Sequence, residues 1–156
     1  MTKRVLSLIC VSIWLALSAS SQKVPRLQSQ SDRDRLIGAW HLVRIDAAGP
    51  DGKPSAEPQP TGMLIYTRDG HVSVQLVYPG KNLSNEYVEQ GYEGSFGSYS
   101  LDEARHLLTH HVQGSVTRER LAGKDLPRRY QFTSDGFLLI QSANPDEHWL
   151  VTWQKF

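Results

Sequence analysis

After Leu36 the apolar residues of this chain come only in short clusters, each closed by a turn signal. Trp40 to Asp46 is the first cluster. Gly62 to Thr67 and Val72 to Tyr78 flank Arg68-Asp69-Gly70. Gly94 to Ser100 and His106 to Val116 flank Leu101-Asp102-Glu103-Ala104. Pro127 to Phe132 and Phe137 to Ser142 flank Thr133-Ser134-Asp135-Gly136, and His148 to Lys155 follows Asn144-Pro145-Asp146. Asp-Gly between two apolar runs is a hairpin signal, because the backbone must take a positive φ there. β-branched and aromatic residues fill the runs. The pattern predicts eight antiparallel strands in an all-β barrel or sandwich. One helix is expected, over Leu83 to Gln90, with Ser84 as its cap and Gly91 as its stop. The break from Ala47 to Thr61 holds Pro50, Pro54, Pro58 and Pro60 and reads as a surface loop. Most of the expected strands are shorter than the roughly 9–11 residues of a membrane-spanning barrel, which disfavours one.

The start of the chain follows different rules. Lys3 and Arg4 precede an apolar run, Val5 to Leu17, and then Ser18-Ala19-Ser20-Ser21. A charged start, an apolar core and small residues are the layout of a secretory signal peptide. The core is too short for a spanning helix of about 20 residues. An uncleaved anchor is the alternative. Cleavage would remove Cys10, the chain's one cysteine, and turn the formal charge of +1 slightly negative. The expected organisation is a signal peptide over residues 1–21, a flexible leader over 22–35 and one barrel domain over 36–156. A secreted or periplasmic location follows. A near-neutral charge implies no nucleic-acid partner, and no membrane span is expected after cleavage. With 39% hydrophobic residues over 156, the chain can build a core without disulfides.

Gly38-Ala39-Trp40 at the head of the first strand is the G-x-W pattern of lipocalins. Gly62 to Leu76 resembles the central hairpin of the bacterial and fungal lipocalin-like domain family. Gly91-Tyr92, Phe96-Gly97-Ser98-Tyr99, Thr109 to Ser115 and Arg128 to Phe132 resemble its later blocks. The resemblance runs from about Leu36 to Phe156 and implies an eight-stranded antiparallel lipocalin-like barrel of calycin type with one short helix. It also implies three structural roles. Gly38 lets the chain enter tightly, Trp40 plugs the closed end, and Lys155 lies across the indole in place of the arginine the pattern prefers. Lipocalins mostly bind small molecules; some barrels of this fold act as cyclases or isomerases.

Catalytic patterns are sparse. The six histidines include His110 and His111, which are adjacent on a strand and so point to opposite faces. His41, His71, His106 and His148 are scattered, and no metal or other cofactor is expected. No G-x-S-x-G elbow occurs, nor a glycine-rich phosphate loop before a helix. Polar residues on strands are the better clue. Ser73 and Gln75 share one face of their strand, opposite the valines and Leu76. Thr109, His111, Gln113 and Ser115 share one face, opposite Leu108, His110, Val112 and Gly114. In a barrel each polar set is either solvated wall or pocket lining. In the lining reading, Ser73, Gln75, His111 and Ser115 fix the polar end of a ligand. Tyr66, Tyr92 and Tyr99 supply amphipathic walls, and Arg129 counters a carboxylate. The expectation is an exported lipocalin-like protein that binds a small, largely apolar molecule. The alternatives are an isomerase or cyclase using the same cavity, with His111 or a tyrosine as acid or base, and a protein-interaction module using the outer wall or the proline-rich loop.

Overall fold

Eight strands close into one barrel in chain order, each antiparallel to the next, and the last pairs with the first. In the computed structural model the described residues are 30–47, 58–79 and 84–156. The signal-peptide reading, most of the leader and the centre of the proline-rich loop lie outside them. The strands are β1 (Gly38–Ala47), β2 (Thr61–Tyr66), β3 (His71–Val77), β4 (Tyr92–Asp102), β5 (Leu107–Ser115), β6 (Asp125–Phe132), β7 (Phe137–Ser142) and β8 (Trp149–Lys155). A single 3-10 turn, Glu119–Leu121, lies between β5 and β6.

The helix expected over Leu83 to Gln90 does not form across its described residues. Residues 84–90 form a loop held by side chains. The Asn85 side-chain oxygen accepts from the Tyr87 and Val88 amides at 2.8 and 2.9 Å, and Ser84 Oγ accepts from the Gln90 amide at 3.0 Å. Such local bonds offer the backbone an alternative to helix, and here they win. The helix, α1, is Asp32–Leu36, inside the expected flexible leader, and Ser31 caps it by accepting from the Asp34 amide.

α1 covers one end of the barrel. Its Asp32 and Arg33 amides donate to the Glu103 carboxylate in the β4–β5 turn, and Asp34 meets Arg68 in the β2–β3 turn at 3.4 Å. Tyr130 Oη donates to Asp32 at 3.0 Å, and Arg35 lies 4.1 Å over the Phe132 ring. Beneath the helix, Trp40 Nε1 donates to the Leu36 carbonyl at 2.8 Å, and both residues are fully enclosed. The core continues inward through Leu64, Tyr66, Leu108 and Leu138. Alternation along each strand produces it: on β3, Val72, Val74 and Leu76 are buried while His71, Gln75 and Val77 are exposed.

β4 shifts register against β5 between Phe96 and Gly97. A Cβ at Gly97 would collide with the His111 carbonyl oxygen, which is backbone and cannot swing away. Gly97→Ala is therefore expected to destabilise the barrel by about 1–3 kcal/mol, the usual cost of overpacking. A lowered urea midpoint at unchanged m-value checks this; an unaltered midpoint contradicts the close approach.

Candidate functional site

The end opposite α1 opens into a cavity of about 680 Å³. Leu64, Val74, Leu76, Ile140, Val151 and Trp153 form its apolar wall, and Pro60, Pro79 and Tyr87 are among the loop residues that line it. The volume falls within the roughly 300–1,000 Å³ that small-molecule sites occupy. Four polar strand residues enter from the wall: Glu93 and Ser95 on β4, His110 on β5 and Arg128 on β6.

His110 alternates in phase with Leu108 and Val112, so it points inward. Its Nε2 lies 2.6 Å from Tyr66 Oη, and both side chains are buried. Burial is the main reason its pKa falls to about 3, with Arg128 and His111 adding repulsion. His110 is thus neutral at physiological pH. Burial likewise raises the Tyr66 pKa well above its ordinary value. Glu93 accepts from Tyr78 Oη at 3.4 Å. Desolvation pushes the Glu93 carboxyl up to about 7, against the pull of Arg128 and the Tyr78 hydrogen bond.

Arg128 is buried between two aromatic faces, with its guanidinium 5.2 Å from the Tyr87 centroid and 4.9 Å from the Trp149 centroid. Both rings are held by one carboxylate. Tyr87 Oη donates to Glu147 at 2.9 Å, and Trp149 Nε1 donates to it at 3.0 Å.

The structure distributes the sequence-predicted residues differently from the lining reading. The apolar face of β3 takes the interior, so Ser73 and Gln75 stand on the outer wall. The same phase puts His111 outside, where its Nδ1 meets Asp125 at 2.7 Å and its Nε2 meets Ser100 at 3.0 Å. Ser100, His111 and Asp125 form a row across three adjacent strands on the outer face of the barrel. Ser115 Oγ donates to the Gly94 carbonyl at 2.8 Å and accepts from the Arg118 amide, which secures the end of β5. Arg129 is exposed beside the buried Arg128, and Tyr92 is exposed opposite Val77. Tyr66 and Tyr99 do point inward but sit behind the cavity. Their rings meet edge to face at 5.0 Å, and Tyr99 Oη donates to the Thr67 carbonyl.

The three structural residues come together at the closed end. Lys155 Nζ lies 5.1 Å from the Trp40 ring centroid and donates to the Arg35 carbonyl at 2.9 Å. A Cβ at Gly38 would come within 2.8 Å of Lys155 Cε, so the glycine makes room for the lysine to cross the indole, at a backbone φ of +134°.

Sequence reasoning missed Arg128, Glu93, His110, Tyr87 and Trp149. For Arg128 a signal existed: it shares a strand face with Leu126, Tyr130 and Phe132, whereas Arg129 alternates with Gln131. Among the described residues no group of three or more His, Cys, Asp or Glu side chains could hold a metal ion. No helix among them is long and apolar enough to cross a membrane.

A one-ended barrel, plugged by a G-x-W tryptophan and hollow at its other end, defines a small-ligand barrel of the calycin type. Residues 37–156 match the family model of the lipocalin-like domain, and the chain belongs to that family. Among curated proteins no relative matches the chain.

Proposed function

We propose that this protein is exported and binds a small, largely apolar molecule in the barrel cavity. The cavity itself carries the reading. The barrel is not filled by its own side chains, and the surface it leaves free is largely apolar, from Leu, Val, Ile, Trp and Pro side chains. Apolar surface of that kind gains from covering, at about 25 cal/mol per Å². A hollow interior supports binding over an interaction module that uses only the outer wall. Export rests on Lys3, Arg4 and the apolar run Val5 to Leu17.

One experiment addresses both parts: mass spectrometry of the protein purified from its native host, under native and then denaturing conditions. The denatured chain is expected to begin between Ala19 and Gln22. The native species is expected to carry an additional mass that extracts into organic solvent. A chain retaining residues 1–17 counts against export, and a native mass equal to the bare chain counts against a resident ligand.

A second reading has its own observation. Glu93 faces the cavity and titrates near 7, where a carboxyl can both take and return a proton. An isomerase or cyclase would use it so. Under that reading Glu93→Gln stops conversion of the extracted ligand while the ligand still binds.

A further inference from the structure

Arg128 carries more hydrogen-bonding capacity than the protein uses. It is 7% exposed, and it lines the cavity. A guanidinium has five N–H donors. The one well-formed hydrogen bond it makes among the described residues is Nη1 to the adjacent Pro127 carbonyl, at a long 3.4 Å; the Tyr87 hydroxyl is near enough to feel it, and the guanidinium pulls down a Tyr87 pKa that burial raises. Among the described residues it forms no ion pair, although nine other pairs are present. A buried cation without a hydrogen-bonded partner is costly and is rarely kept for stability alone.

Its surroundings are built to hold the group still. The Tyr87 and Trp149 rings flank it, and Glu147 fixes both rings through their polar edges. Glu147 supplies compensating charge from a distance, but its oxygens receive Tyr87 Oη and Trp149 Nε1 rather than the guanidinium. Glu93 contributes a carboxyl that desolvation keeps partly protonated at neutral pH. The fork of Arg128 is therefore oriented, dehydrated and open on the cavity side. Leu126, Leu64, Val74 and Ile140 line the same space.

The geometry points to an amphipathic carboxylate as the ligand: its head accepts paired hydrogen bonds from Arg128 between the Tyr87 and Trp149 rings, and its apolar body fills the cavity. This rests on the reading that the cavity binds a small apolar molecule, and it names the chemistry of the polar end. The planar fork matches a carboxylate in two parallel N–H···O bonds. A phosphate fits less well, because a dianion would meet one cation with two carboxyl groups close by. A neutral alcohol or ester would leave the fork half used.

The test uses the full barrel and a neutral fluorophore, N-phenyl-1-naphthylamine, as reporter of the cavity. Decanoate, decan-1-ol and methyl decanoate are titrated against it near pH 7.5. Decanoate is expected to displace the dye with a Kd lower than that of the alcohol or ester by about tenfold or more. Arg128→Met is expected to erase that preference, weakening decanoate by about tenfold or more while decan-1-ol stays within about threefold. The wild-type comparison stands without the variant, so a misfolded Arg128→Met leaves the question decided. Equal affinities for acid and alcohol, or a preference that survives in a folded Arg128→Met, overturn the carboxylate head and leave the apolar cavity intact. Failure of the dye and all three probes to bind overturns the cavity reading itself.

Discussion

Trp40→Ala is expected to lower the unfolding free energy by about 3–5 kcal/mol, as large aromatic truncations in packed interiors do. The indole is 2% exposed. It packs against Phe132 at 6.1 Å between centroids and gives its N–H to the Leu36 carbonyl. Truncation opens a cavity at the closed end and strips the carbonyl of its partner. It also unseats α1, whose last residue, Leu36, is buried on the same spot. Trp40→Phe should recover part of the loss, since the ring volume returns without the donor. Lys155→Ala should cost far less, on the order of 1 kcal/mol, because a cation–π contact at a partly open site is weak. Urea denaturation of the three variants checks the order. A Trp40→Ala midpoint equal to that of the wild type would contradict the plug.

Much of the fold was legible because hairpins are local. Each strand lay next to its partner in sequence, and Asp69-Gly70 and Asp135-Gly136 marked two of the turns with residues that suit a positive φ, observed at Gly70 and Gly136. The Gly38-Ala39-Trp40 pattern and Lys155 pointed to the closed end in the same way. The helix expectation fails because Ser84 resembles a cap, while the Asn85 side chain takes the Tyr87 and Val88 amides into a loop. The cavity lining was harder. Alternation separated Ser73 and Gln75 from Val72, Val74 and Leu76, but it does not say which face closes inward. A polar end on the ligand favours the polar face as lining, but burial goes with the apolar majority. Two of the polar groups that enter the cavity are exceptions on apolar faces. His110 stands between Leu108 and Val112, and Arg128 between Leu126 and Tyr130. Such exceptions become visible only once the inward face is known.

Two of the polar groups that face the cavity, the His110 imidazole and the Glu93 carboxyl, make stability depend on pH in opposite senses. His110 titrates at about 3 in the fold against an ordinary 6.5, chiefly because burial penalises its charged form. The unfolded chain therefore binds a proton at this site that the native state refuses. Stability from His110 is present above pH 6.5 and is lost as the pH falls toward 3. Glu93 titrates at about 7 against an ordinary 4.5, again chiefly through burial. Here the native state holds a proton that the unfolded chain releases, so stability is lost as the pH rises from 4.5 toward 7. Between about pH 5 and 6.5 each effect amounts to about 2 kcal/mol, because one proton of difference between the two states is worth roughly 1.36 kcal/mol for every pH unit crossed. They cancel in the wild type, whose stability should be nearly flat there. Glu93→Gln removes one arm. The variant should be about 2 kcal/mol less stable at pH 5 than at pH 6.5. Below about pH 4.5 the offset ends for the wild type too, and a further loss of about 2 kcal/mol should accumulate by pH 3 from His110 alone. Glu147, whose pKa burial raises but the bonds from Tyr87 and Trp149 together bring below its ordinary value, adds to that acid loss. Urea titrations of both proteins at fixed ionic strength across this range give the curves. A Glu93→Gln stability that stays level between pH 5 and 6.5 would mean that His110 takes up its proton in the folded barrel, and so that the Tyr66–His110 pair is open to water.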